Sequence, residues 1–122
     1  MVLFSHIMPF IESPDEPDGY FNLAAGPRRH LLDMAKGGRV SKWFCGHYHR
    51  NAGGWDGDDL EVVITAAVGA NLTTDASGDV RGLTGMAGLT LDDSVSGLRV
   101  VQVHESAITH KFIPLCELCG SS

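Results

Sequence analysis

The sequence predicts an α/β fold, with one βαβ-like unit followed by a run of mostly antiparallel strands. Three observations lead there. Two short apolar runs, Val2–Phe4 and Val40–Cys45, flank a helical stretch, which is the order that builds parallel strand pairs. Beyond Asn51 the apolar runs are strand-length and recur between turn-forming residues. Glycine is frequent, at 15 of 122 residues, and favours turns over long helices.

Met1–Ser5 reads as a strand that is apolar on both faces, as a covered interior strand would be, and it ends at His6. An acidic, proline-broken loop follows through Pro14, Asp15, Glu16, Pro17, Asp18 and Gly19. A helix fits Pro27–Lys36: Pro27 suits a first turn, Leu31, Leu32, Met34 and Ala35 supply an apolar side, and Gly37–Gly38 ends it. Val40–Cys45 is the second strand. Asp56–Asp59 reads as a turn, Leu60–Val68 as an apolar strand, and Gly69–Gly88 as a long Gly/Thr/Asp-rich loop. Gly88–Leu91, Leu98–Val103 and Ala107–Ile113 read as three more strands, the last two joined by His104–Ser106. No internal repeat or linker divides the chain, so residues 1–122 are expected to form part of one domain.

A formal charge of −6 argues against a nucleic-acid partner held by a basic surface. No apolar run approaches the length of a membrane span, and Met1–Phe10 lacks the basic start and cleavage pattern of a signal peptide. Three cysteines are a sparse, odd set that fits a reducing, cytoplasmic setting.

Gly46-His47-Tyr48-His49 is the strongest chemical signal. It follows an apolar strand directly, where a chain leaving a sheet presents side chains to a cleft. Residues two apart can face one way, and Gly46 permits a sharp backbone path. His6 holds the matching place after the first strand, so three histidines distant in sequence are expected to meet at one sheet edge and bind metal. Weaker signals have plainer readings. Cys116-Glu117-Leu118-Cys119 has no second pair to complete a zinc site, and Cys45 reads as a small core residue. Arg28 and Arg29 would meet a phosphate at a helix start or lie in a solvated first turn. Tyr48, Arg50 and Asn51 are candidates for a substrate-binding rim, with a turn-forming role equally open for Asn51. His30, His104 and His110 read as structural or surface residues.

Ser5-His6 and Gly46–His49 resemble the last two conserved blocks of the calcineurin-like metallophosphoesterases, a lone His after a strand and then G-H-x-H. The continuation through Arg50-Asn51-Ala52-Gly53-Gly54, with Tyr20-Phe21-Asn22-Leu23 upstream and Ser96-Gly97-Leu98-Arg99-Val100-Val101 downstream, is similar to a narrower group of serine/threonine phosphatases within that family. The resemblance implies the C-terminal half of a four-layer α/β/β/α sandwich that hydrolyses a phosphorylated protein or small phosphoester with two metal ions (Fe, Zn or Mn). It further implies His6 and His47 as ligands of one ion and His49 as a ligand of the other. The family's earlier blocks, D-x-H, G-D-x-x-D and G-N-H-[DE], do not occur here. The expectation is therefore a partial dinuclear site, inactive alone. The competing reading is a catalytically inactive product that serves as a binding or regulatory module.

Overall fold

A computed structural model describes residues 1–69, 71–74, 89–92 and 96–118, and its architecture is mixed α/β. The chain opens with strand β1 (Val2–Ser5), then helix α1 (Ala25–Gly37) and strands β2 (Lys42–Cys45), β3 (Ala52–Trp55) and β4 (Glu61–Ile64). These four strands form one sheet in the order β1-β2-β4-β3. β1, β2 and β4 run parallel, and β3 closes the far edge antiparallel to β4.

The register sorts side chains onto two faces. Leu3 pairs with Trp43, which pairs with Val62, and Cys45 pairs with Ile64. This row packs with Met8, Phe10, Ile11, Phe21, Ala35 and Val40, and Leu31 and Leu32 of α1 close over it. Phe4, Phe44 and Val63 fall in the alternate row, as the two-residue period of a strand requires. There the Phe4 ring stacks on Phe44 with centroids 5.5 Å apart, yet Phe4 remains 75% exposed. In this chain the apolar first strand keeps one face open, at Phe4. β1 is an edge strand, and among the described residues none pairs with its outer side.

Helix α1 begins two residues before the expected start. The Asp18 carboxylate, from the acidic loop, accepts the Ala25 N–H at 2.7 Å and also an Arg28 Nη2–H at 3.0 Å. That carboxylate supplies the anion that the first turn of the helix lacks. Arg28 is consequently buried, at 1% exposure, and is neither a solvated first-turn residue nor a free phosphate contact; Arg29 is exposed. The helix terminates as Gly38 N–H donates to Met34 O, and Arg39, with φ 53°, turns the chain toward β2.

Strand β3 carries no alternating apolar signal and was not expected. Its glycines explain both facts. A Cβ at Gly53 (φ +136°) would lie 2.1 Å from the Val62 carbonyl oxygen, and one at Gly54 would lie 2.3 Å from that of Glu12. Only glycine lets this strand approach β4 and the preceding loop so closely. Asp56–Asp59 is the expected turn, with Asp56 Oδ1 accepting the Asp58 and Leu60 N–H groups at 2.9 and 3.2 Å. β4 is less than half the length expected of Leu60–Val68.

The remaining strands pair as antiparallel ribbons: β5 (Asn71–Thr74) with β6 (Leu89–Asp92), and β7 (Gly97–Val103) with β8 (Ile108–Pro114). β5 occupies part of the stretch expected to be a loop; residues 75–88 of that stretch lie outside the described residues. A short helix α2 (Leu115–Leu118) follows β8 and includes Cys116. The β7–β8 ribbon covers the Phe44 face through polar contacts. Arg99 Nε donates to Thr65 Oγ1 at 3.0 Å, and its Nη1 lies 2.9 Å from His110 Nδ1. His110 Nε2 lies 3.3 Å from Glu61 Oε1, whose other oxygen accepts from Lys42 Nζ at 2.5 Å. The His110 ring also meets Phe44 edge-on at 5.6 Å, which is the structural role expected of it. Among the described residues, no helix is long and apolar enough to cross a membrane.

Candidate metal centre

His6 and His47 reach one place because β1 and β2 are parallel neighbours. The ladder continues past their ends, with Gly46 N–H donating to His6 O at 3.1 Å. Ser5 fixes the exit of β1: its hydroxyl accepts Trp43 Nε1–H at 2.8 Å and donates to Ile7 O at 2.8 Å. The Ser5 hydroxyl also lies 3.5 Å from Cys45 Sγ, a buried thiol that desolvation pushes up to about 11. Cys45 is thus an inert core residue, as expected.

The turn after β2 is tight. Tyr48 N–H donates to Gly46 O at 2.7 Å around His47, whose φ is 64°. A hydrogen bond across one residue of positive φ is the rare, strained form of γ-turn. His49 also has positive φ, at 55°, whereas Gly46 does not, and a Cβ on Gly46 would meet His6 Nδ1 at an ordinary 3.7 Å. The sharp path expected at Gly46 therefore belongs to the two histidines. Two non-glycine residues held this way cost about 1–3 kcal/mol each, so the surroundings must impose the conformation.

The outcome is a close pair. His6 Nε2 and His47 Nδ1 are 3.2 Å apart, with ring centroids at 4.9 Å. His47 is further enclosed by Tyr20, stacked at 5.7 Å and 28°, and by Phe21, edge-on at 5.5 Å. Burial, then the nearby His6, depress the His47 pKa; a hydrogen bond to the Tyr20 backbone opposes them, and His49 adds a smaller lowering. Among the described residues, no group of three or more His, Cys, Asp or Glu side chains gathers as a complete metal site. His49 sits two residues beyond His47 in the same turn, half-buried, within electrostatic reach of it.

The three rim candidates separate. Tyr48 turns inward, 8% exposed, and packs edge-on against Phe21 at 5.1 Å. Arg50 lies over the Tyr48 ring at 5.4 Å. Asn51 ties elements together: its Oδ1 accepts Ala66 N–H at 3.2 Å and Arg99 Nη2–H at 2.7 Å.

The loop that presents Tyr20 and Phe21 is organised by Glu16, a residue that sequence reasoning passed over. Its carboxylate accepts N–H groups of Ile11, Glu12 and Ser13 at 2.7, 2.9 and 3.2 Å, and Asn22 Nδ2–H at 2.6 Å. Asn22 Oδ1 in turn accepts Gly19 N–H at 2.6 Å. The sequence around Glu16 signals only a turn, because what the carboxylate binds is mostly backbone.

No protein-family model matches the chain, and no solved structure matches it. Curated proteins do. It is 39% identical over 118 residues to a zebrafish (Danio rerio) protein named serine/threonine-protein phosphatase CPPED1, covering 97% of this chain and 32% of that one. The cattle (Bos taurus) and human (Homo sapiens) proteins of the same name are 38% and 37% identical, each covering 96% of this chain and 31% of theirs. The resemblance carried by Ser5-His6 and Gly46–His49 thus extends along nearly the whole chain, which is similar to a C-terminal portion of these calcineurin-like phosphatases and spans about a third of their length.

Proposed function

We propose that this chain supplies part of the dinuclear centre of a metal-dependent phosphoester hydrolase acting on phosphorylated serine or threonine in proteins. His6 and His47 would hold one ion and His49 the other, within one half of a four-layer α/β/β/α sandwich. The observation that carries the reading is the 3.2 Å between His6 Nε2 and His47 Nδ1. Two nitrogens each about 2.0–2.1 Å from one shared ion, at a near-tetrahedral angle, stand at about that separation. Similarity to proteins named as serine/threonine phosphatases supports the substrate class.

A bound metal pair would acidify a water and neutralise phosphate charge. The residues of this chain would orient and shield. The strained turn fixes His47, the Ser5 contacts fix the strand end before His6, and Tyr20 and Phe21 exclude water from one side of the His47 ring. The carboxylate and amide ligands implied by the family resemblance have no counterpart here, so the chain alone is expected to bind metal without turnover.

The test is hydrolysis of p-nitrophenyl phosphate with Mn2+, by this chain alone and by this chain joined to the remaining portion of the zebrafish relative. Activity is expected only from the joined protein, and His47→Ala should abolish it. Joined protein that is inactive, or whose activity survives His47→Ala, would overturn the assignment.

A further inference from the structure

The β7–β8 ribbon carries a titratable side chain that the candidate metal centre does not use. Val101 pairs with His110 and Arg99 with Phe112, so Arg99 and His110 are diagonal neighbours on one face of the ribbon. Arg99 places three N–H groups on three elements. Nε donates to Thr65 Oγ1 at 3.0 Å, Nη2 donates to Asn51 Oδ1 at 2.7 Å, and Nη1 lies 2.9 Å from His110 Nδ1. A guanidinium has no acceptor, so the last contact has one chemical form: Nη1–H donates and His110 Nδ1 offers a lone pair. The neutral ring then bears its proton on Nε2, the nitrogen that lies 3.3 Å from Glu61 Oε1. Both nitrogens thus agree on one tautomer.

The same geometry has no place for a second proton. A proton on Nδ1 would face Arg99 Nη1–H donor to donor, with two cations in contact at 2.9 Å. Arg99 from β7 and Glu61 from β4 face the ring, and Lys42 from β2 stands behind Glu61, donating to its other oxygen at 2.5 Å. The Glu61 charge is therefore already shared. β2 itself meets the ring through uncharged Phe44, and Lys111, next in β8, falls on the opposite face of the strand. Release of Arg99 would reach beyond the ribbon. Asn51 Oδ1 also accepts Ala66 N–H at 3.2 Å, and Asn51 lies two residues past His49, so the Arg99 bond pins the exit of the histidine turn.

We propose that His110 is a pH-sensitive latch. Neutral, it holds Arg99 against the exit of the histidine turn; protonated, it lets Arg99 go and loosens both the ribbon and Asn51. The latch stands on residues outside that turn, and only its bearing on function rests on the reading of the turn as metal-binding.

The experiment needs no metal, so its failure and that of the metal reading are separate. Proton–nitrogen NMR follows the parent chain and His110→Gln from about pH 8 to about pH 5.5, the range in which an imidazole changes charge. The fold should persist there, because against burial hydrogen bonds hold Glu16 and Glu61 below their ordinary 4.5. At the upper pH the parent is expected to show the Nε2–H form of His110. Protection of Arg99 Nε–H and of Ala66 N–H, each relative to its intrinsic exchange rate, should then fall about tenfold through the midpoint of His110 itself, as for loss of one hydrogen bond. In His110→Gln, which keeps a donor and an acceptor but gains no proton, both protections should stay constant. The proposal is overturned by the Nδ1–H form of His110 at the upper pH, by protection that does not change through its titration, or by the same fall in His110→Gln. Should His110→Gln fail to melt cooperatively, the parent still decides: a fall that tracks the His110 midpoint supports the latch, and one that tracks another histidine overturns it.

Discussion

Replacing Glu16 with alanine should unfasten the loop that carries Tyr20 and Phe21. Glu16 accepts four hydrogen bonds, and the two from Ile11 N–H and Asn22 Nδ2–H are partly buried, whereas those from Glu12 and Ser13 face solvent. Water can replace the exposed pair after truncation but reaches the other two poorly. Counting only those two, at about 1–1.5 kcal/mol each, the loss is roughly 2–3 kcal/mol, or a melting point lower by about 8–15 °C for a chain of this size. The pH dependence follows from the charge. Burial pushes the Glu16 carboxyl up, but hydrogen bonds from Asn22 and the three backbone N–H groups outweigh it and hold the group below its ordinary 4.5. A depressed carboxyl contributes stability that is fully present above the unfolded value and disappears as pH falls through the folded one. Parent and variant should therefore differ most near neutrality and converge below pH 4.5. Glu61 is also held low, by Lys42 and His110 against burial, so the acid limb of the parent is shared and only the difference between proteins isolates Glu16. Circular-dichroism melts across pH provide the assay. A Glu16→Ala melting point within about 2 °C of the parent at pH 7 would refute the reasoning, because a shift that small lies below one partly buried bond.

Gly53→Ala should abolish cooperative folding, because its Cβ would strike the Val62 carbonyl oxygen at 2.1 Å on a backbone with φ +136°; an unchanged urea transition would contradict this. Arg99→Met removes bonds to Thr65, His110 and Asn51 and should cost about 1–3 kcal/mol, with faster amide exchange in β7 and β8, whereas parent-like exchange would count against the polar bridge. Phe4→Lys should cut binding of a hydrophobic dye by roughly half while moving the melting point by less than about 3 °C, because Phe4 is 75% exposed on an edge strand. Undiminished dye binding would place the exposed apolar surface elsewhere.

Much of the frame was legible in the chain because it rests on local periodicity. The apolar runs at Val2–Phe4 and Val40–Cys45, the helix between them and the alternation in Ile108–Phe112 each need only near neighbours to be read. What failed was wherever a distant partner decides. Gly53 and Gly54 carry no strand signal, yet the Val62 and Glu12 carbonyls make them the one residue type that fits. Arg28 looked solvated beside Arg29 until Asp18, ten residues earlier, drew it inward. The Tyr48 ring packs inward on Phe21, a placement that no spacing within Gly46–Asn51 indicates.

The candidate site divides along the same line. Sequence alone singled out the side chains proposed to carry the chemistry: the histidines at the ends of two apolar runs, separated by a stretch long enough for a crossover helix. Tertiary structure alone decided how they meet. Parallel pairing of β1 and β2 brings the two strand ends together, with His6 Nε2 3.2 Å from His47 Nδ1, and the left-handed conformation lies at His47, not at the glycine before it. Only the folded loop, tied by Glu16 and Asn22, brings Tyr20 onto the His47 ring. The reason is range: side-chain identity is written residue by residue, whereas an imidazole's orientation is set by groups up to 41 positions away.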